Sequence, residues 1–467
     1  MGFRRCSPYG AKLDSSVIRL WLAISAVLVG FVFYLDLSDQ RPTTERSSYP
    51  VMILGFDGMD PEFLDYFLAQ GKLPHFQRLI DEGAYAPCQT FKPTKSVVLW
   101  TSVATGKRME KHGIIDWQLL SEDGQRKVLA SGHSRRTEAL WNIATKGGKS
   151  VQILNWWATW PAEEVAGEIV SNHFPRALHE DVAEVTFPPE LAPELEALGL
   201  PGREEANLAL AAAGMHVFSR ERADNGFLPS TNFRARFQTS AGIFNDDMIT
   251  ERSLEHLIDT RGQADLVQAL FRTIDVYTHF MWRFIERRIA RRVYDQLRQE
   301  GRPLTEQMAR TMDEAYARVL EPVYVYEDRR LGRLMERAGP DTVLVVLSDH
   351  GFQFRNYGFN HYDDGRGGVR APSGVMFLWG PPVRAGVRLD SPTLFDVAPT
   401  ALYLMGLPGG RDMDGRVLTE ALAPSLLAAR PPTWVASHDD GSRLGGTAES
   451  PVDEEVLREL RALGYIR

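Results

Sequence analysis

Thr342-Val343-Leu344-Val345-Val346-Leu347-Ser348-Asp349-His350-Gly351 is a β-branched apolar run that ends abruptly in an acid and an imidazole. Such a run predicts a strand buried on both faces, as parallel strands are. Burying Asp349 and His350 beside it is costly unless something pairs them. Val51-Met52-Ile53-Leu54-Gly55-Phe56-Asp57-Gly58 repeats the pattern near the start of the chain. Val375–Trp379 reads as a third strand, Val151–Leu154 and Glu168–Ser171 as weaker ones, and Asp265–Ile274 as either strand or helix. Pro61–Ala69, Pro74–Glu82 and Ser391–Met405, the last starting at a Ser cap, read as helices. Strands interleaved with helices predict an α/β fold: a doubly wound, mostly parallel sheet with helices on both faces. Sheets of this kind place their chemistry at the carboxyl ends of the strands.

The spacing divides the chain into an anchor and linker (1–48), a first part of the α/β core (49–173), an inserted cap (174–262), a second part of the core (263–425) and a tail with a short docking helix (426–467). Pro188, Pro189, Pro193 and Pro201 break the strand–helix rhythm in the cap, and the Ala-rich helix Glu204–Ala213 follows them. Arg287–Arg302, rich in both signs of charge, reads as a solvated helical surface. Arg4, Arg5, Lys12 and Arg19 precede Leu20–Leu35, sixteen residues without charge, and Asp36 and Asp39 follow. The pattern predicts one membrane helix at the short end of the spanning range, with the remainder on the extracytoplasmic side, periplasmic in a bacterium. An uncleaved signal-anchor fits best, and a cleaved signal peptide is the rival.

Composition narrows the functions. The 467 residues carry 53 basic and 61 acidic side chains, net −8, which argues against a broad nucleic-acid-binding surface. Two cysteines, Cys6 and Cys88, exclude a disulfide framework and a thiolate metal cluster. Asp57, Asp275, His279, Asp349, His350 and His361 together form an oxygen- and nitrogen-rich set suited to two divalent cations, zinc first and manganese or iron second. Asp275 and His279, four apart, share a helix face, although the same spacing is common in surface pairs. Ser96 opens the breaker-free run Val97–Thr105, so its hydroxyl is expected at a helix N-terminus, either as an ordinary cap or, beside a bound cation, as a nucleophile.

In this order the segments resemble the alkaline phosphatase superfamily, in particular its type I phosphodiesterase and nucleotide pyrophosphatase branch, over roughly Tyr49–Leu418. Pro93-Thr94-Lys95-Ser96, Thr105-Gly106 and His112-Gly113-Ile114 look like that branch's nucleophile helix and the turn after it. The resemblance implies one metal held by Asp275, His279 and His361, a second held by Asp57, Asp349 and His350 with Ser96 on it, and a phosphoserine intermediate. The branch usually has Thr where Ser96 stands, and an Asn donor where this chain reads Asp116-Trp117, which leaves Lys95 or Asn155 as substitutes. Trp117, Trp156 and Trp157 could wall a pocket for the second group of a diester, or could be core aromatics. Hydrolysis of a small phosphodiester or nucleotide pyrophosphate is therefore expected. Phosphomonoester hydrolysis, phosphoethanolamine-type transfer at a membrane and a silent binding module are the alternatives.

Overall fold

Nine strands form the central sheet of the computed structural model, which describes residues 48–121, 123–213, 232–285, 306–355, 358–360, 371–443, 445–463 and 466. In chain order they are β1 (Val51–Phe56), β2 (Ala84–Cys88), β3 (Val151–Leu154), β4 (Gly167–Val170), β5 (Thr186–Phe187), β6 (Leu266–Phe271), β7 (Val343–Leu347), β8 (Gly374–Trp379) and β9 (Val387–Arg388). Across the sheet the order is β9-β2-β8-β7-β1-β6-β3-β4-β5. The central strands β7, β1, β6, β3 and β4 are all parallel. Antiparallel β8 follows on one side and antiparallel β5 on the other. The fold is thus the mostly parallel α/β sheet that the apolar runs predict.

Around the sheet lie α1 (Pro61–Leu68), α2 (Pro74–Glu82), α3 (Ser96–Thr105), α4 (Leu140–Lys146), α5 (Asn232–Arg261), α6 (Thr273–Ile285), α7 (Glu306–Arg337), α8 (Val397–Leu404) and α9 (Asp453–Leu463). Alternation along β1 shows why both faces must be covered. Val51 and Ile53 join one core with residues of α3, α4 and α8, whereas Met52, Leu54 and Phe56 join another with residues of α1, α2, α5 and α7. The region expected as a cap holds the edge strand β5, the helix Arg203–Ala212 and α5, whose Phe244, Ile249 and Leu257 enter the second core. Ser47 to Arg467 forms one compact unit.

Two local expectations need correction. The helix expected over Ser391–Met405 has no Ser cap: Ser391 sits at φ +51° and Pro392 follows. Thr393 instead starts a 3-10 turn, Leu394–Asp396, whose Asp396 side chain accepts from Thr393 N and Oγ1, and α8 begins only at Val397. Ser96 is the first helical residue rather than the cap: Lys95 occupies that position in extended geometry, and the Ser96 hydroxyl turns to Asp57. The ambiguous Asp265–Ile274 resolves into β6 followed at once by α6. Among the described residues no helix is long and apolar enough to cross a membrane. Leu20–Leu35, Arg287–Arg302 and His361 lie outside them.

Candidate active site

The chemistry-bearing residues leave the carboxyl ends of three adjacent parallel strands. Asp57 follows β1 directly, Asp349 and His350 follow β7 after Ser348, and Asp275 lies in the first turn of α6, beyond β6. Glycine lets the first and third of these approach. Gly58 has φ +74°, and a Cβ there would lie 2.7 Å from Asp275 Cα. Two residues before Asp57, Gly55 packs against the Trp100 ring, where a Cβ would come within 2.6 Å.

Hydrogen bonds fix the loops. Ser348 Oγ donates to the His350 carbonyl at 2.9 Å and accepts from Met59 N at 2.8 Å, tying the β7 loop to the β1 loop. Asp60 caps α1 by accepting from Glu62 N and receives Phe352 N on its other oxygen at 2.8 Å. Burial pushes the Asp60 carboxyl up to about 6, against those backbone donors. The Phe352 ring presents edge-on contacts to His279 and His350, with centroids at 5.2 and 5.7 Å.

Six of the expected residues meet. His350 Nε2 is 3.4 Å from Asp57 Oδ1, 3.7 Å from Asp349 Oδ2 and 3.8 Å from Asp275 Oδ1. His279 Nε2 is 3.4 Å from Asp275 Oδ1, one turn along α6. Ser96 Oγ donates to Asp57 Oδ1 at 3.4 Å. All are buried: Asp349 and His350 are 0% exposed, Ser96 1%, Asp57 and Asp275 2%.

Three carboxylates so placed repel one another unless positive charge lies among them. Ligand atoms of Asp57, Asp349 and His350 all fall within 4.8 Å of one another, a spacing that one ion can satisfy. Neither Asp349 oxygen accepts a hydrogen bond. His350 Nδ1 faces the Gly351 carbonyl at 3.1 Å, which can only accept; the ring therefore carries its proton there and turns Nε2 to the carboxylates, as a metal-ligating histidine does. Burial, then the neighbouring Asp57, drives the Asp349 carboxyl well above its ordinary range. Burial lowers His350, but Asp349, Asp57 and Asp275 outweigh it and hold the imidazole up at about 10.

Residues 51–365, about two thirds of the chain, match the type I phosphodiesterase / nucleotide pyrophosphatase family. The chain belongs to that family. Among solved structures, this phosphodiesterase-family protein is similar to the wild-type alkaline phosphatase PafA, with a TM-score of 0.51 and 10% identity over 80% of this chain and 99% of that one. It is also similar to a phosphonate monoester hydrolase from Silicibacter pomeroyi, with a TM-score of 0.46 and 16% identity over 81% and 78%. A 2,3-bisphosphoglycerate-independent phosphoglycerate mutase of Cereibacter sphaeroides is 39% identical over 102 residues, so the match spans 20% of this chain and 18% of that curated relative. Family membership supports phosphate-ester hydrolysis as the class of chemistry.

In this family member, Trp117 and Trp157 line the pocket with Asp57, Ser96, Arg272 and Asp275, their rings meeting edge to face at 4.9 Å. Trp156 does not; it is fully buried and donates to the Trp100 carbonyl. Asn155 donates its amide to the Leu270 carbonyl, which leaves it in the sheet. Lys95 pairs with Asp116 at 2.6 Å, so the two residues singled out beside the nucleophile hold each other. Reading the sequence misses three groups. Trp100 donates to Asp57 Oδ2 at 3.0 Å and stands one helical turn after Ser96, a spacing that could have marked it. Arg272, three residues before Asp275, carries a weaker signal, and Glu459 none.

Proposed function

We propose that this chain is a metal-dependent phosphate-ester hydrolase in which Ser96 attacks phosphorus and carries the phosphoryl group as a phosphoserine, with phosphodiesters or nucleotide pyrophosphates as substrates. The observation that carries the reading is the convergence of Asp57, Asp275, Asp349 and His350 beside a hydroxyl at the start of α3. Asp57, Asp349 and His350 would hold one divalent ion. Asp275 and His279 would contribute to a second, with His361 as its proposed third ligand; the donor set suits zinc first and manganese or iron second. When bound, the ions neutralise charge on the transferring group and acidify the nucleophilic hydroxyl.

The chain's own residues do the rest. Asp57, steadied by Trp100, accepts from Ser96 and orients its Oγ toward the pocket chemistry. The first N–H groups of α3 lack helical acceptors and favour an anion at this end. Trp117 and Trp157 offer apolar surface for the second group of a diester, which favours diesters over monoesters. The basic residues ahead of Leu20–Leu35 support a membrane anchor with this site on the extracytoplasmic side. Parallel assays with bis-p-nitrophenyl and mono-p-nitrophenyl phosphate test the choice: the diester is expected to be the better substrate, and a strong monoester preference would overturn it.

A further inference from the structure

Arg272 alone joins β6, which ends at Phe271, to α6, which starts at Thr273. Asp57 N donates to the Phe271 carbonyl at 2.9 Å, so the strand end is tied to the β1 loop. With so little slack, any tilt at the start of α6 passes directly to Asp275 in its first turn, and one turn later to His279.

What sets that tilt comes from another helix. The first N–H groups of a helix have no acceptor inside it, and a side-chain oxygen of the preceding residue commonly supplies one. Arg272 holds that place and has no such oxygen. Asp247 of α5 supplies it instead: its Oδ2 accepts from Arg272 N at 2.8 Å, from Thr273 N at 2.8 Å and from Thr273 Oγ1 at 2.6 Å. The neighbouring Asp246 accepts from Arg272 Nη2 at 2.8 Å. Consecutive acids of α5 thus hold Arg272 by main chain and side chain together. Asp247 is 0% exposed, and Arg330 Nη1 lies 3.9 Å from the same oxygen, which places positive charge beside the buried carboxylate. A cap drawn from its own helix would shape only α6; drawn from α5, it also fixes where α6 begins relative to that helix.

We propose that Asp247 is the positioning residue for Asp275 and His279, and through them for the second ion of the site. The inference rests on reading those two side chains as metal ligands. It goes further by placing control of that ion in α5, away from the strand ends that carry the other ligands.

A matched control exists in the same molecule. Asp328 of α7 caps α2 in the same manner, its Oδ1 accepting from His75 N and Phe76 N at 3.0 Å each, and α2 carries none of the proposed ligands. Full-length protein freed of metal is titrated with zinc against a chromophoric chelator, as the native chain, Asp247→Asn and Asp328→Asn. The native chain is expected to take up two ions. Asp247→Asn should leave the ion of Asp57, Asp349 and His350 unchanged and bind the second about ten- to a hundredfold more weakly, the range for groups that orient a metal ligand. Asp328→Asn should leave both within about twofold, as expected of an independent site. Circular dichroism checks that each variant folds. Should Asp247→Asn not fold, Thr273→Val removes only the hydroxyl and is expected to weaken the second ion by up to about tenfold. Unchanged affinity for the second ion in the folded variant, equal weakening of both ions, or the same loss in Asp328→Asn overturns the role of Asp247 and leaves the hydrolase standing. A native chain that takes up fewer than two ions overturns the two-ion reading itself, and the role of Asp247 with it.

Discussion

Gly58→Ala isolates the contact that brings two strand ends together. The residue sits at φ +74°, where an alanine costs about 1–2 kcal/mol. Its Cβ would lie 2.7 Å from Asp275 Cα, 2.8 Å from Asp275 Cβ and 3.0 Å from a ring carbon of Phe352. A backbone atom cannot swing aside as a side-chain tip can, so the β1 loop or the start of α6 must move about 0.7 Å to regain ordinary contact. Overpacking of this kind adds roughly 1–3 kcal/mol, for a total of roughly 2–5 kcal/mol. Gly71→Ala supplies the control, since Gly71 has φ +68° and nothing within 4 Å of the added atom. Urea unfolding should show Gly58→Ala as the more destabilised variant by the overpacking share. Turnover should fall about ten- to a hundredfold in Gly58→Ala, because misplacement of this order disrupts a reacting geometry, and stay unchanged in Gly71→Ala. Equal stability losses with activity intact in both would refute the claim that Asp275 is placed by that contact.

Glu163 accepts from Arg135, Arg443, Trp141 and Asn142; burial alone would raise its carboxyl, but Arg135 and Arg443 outweigh it and hold it at about 2. Because the folded value lies below the ordinary 4.5, the unfolded chain binds more protons between the two, so about 3 kcal/mol of stability is present above pH 4.5 and lost as pH falls toward 2. Glu163→Gln should therefore cost much more in urea unfolding at pH 6 than at pH 3, and a pH-independent cost would contradict the pairing. Trp100→Phe removes the indole donor from Asp57, and a chelator-competition titration should find metal affinity about ten- to a hundredfold weaker, as for other partners of metal ligands. Unaltered affinity would show that Asp57 needs no such support.

Legibility in the sequence follows burial and locality. β1 and β7 are continuous apolar runs closed by an acid, and a strand buried on both faces has no other signature; Asp57, Asp349 and His350 could be singled out on that basis. Asp265–Ile274 stayed ambiguous because β6 is buried throughout and α6 begins two residues after it ends, leaving too little chain for either period to declare itself. The sequence puts Ser96 at the start of α3, where it lies, but the acceptor of its hydroxyl, Asp57, is remote in sequence and leaves no local sign. Arg272 and Glu459 could not be paired from the sequence, because an ion pair between distant segments leaves no periodic trace, and both sit among other charged residues of ordinary appearance. Trp117 and Trp157 separate from Trp156 only in three dimensions: adjacent residues of one turn face a pocket and a core.

Metal content measured by mass spectrometry on full-length protein tests the central claim most directly, using the native chain, Ser96→Ala and Asp349→Ala side by side. Divalent metal retained by the native chain and by Ser96→Ala, reduced in Asp349→Ala, with turnover lost in both variants, is the predicted result. Full metal in Asp349→Ala, or undiminished turnover in Ser96→Ala, would contradict it.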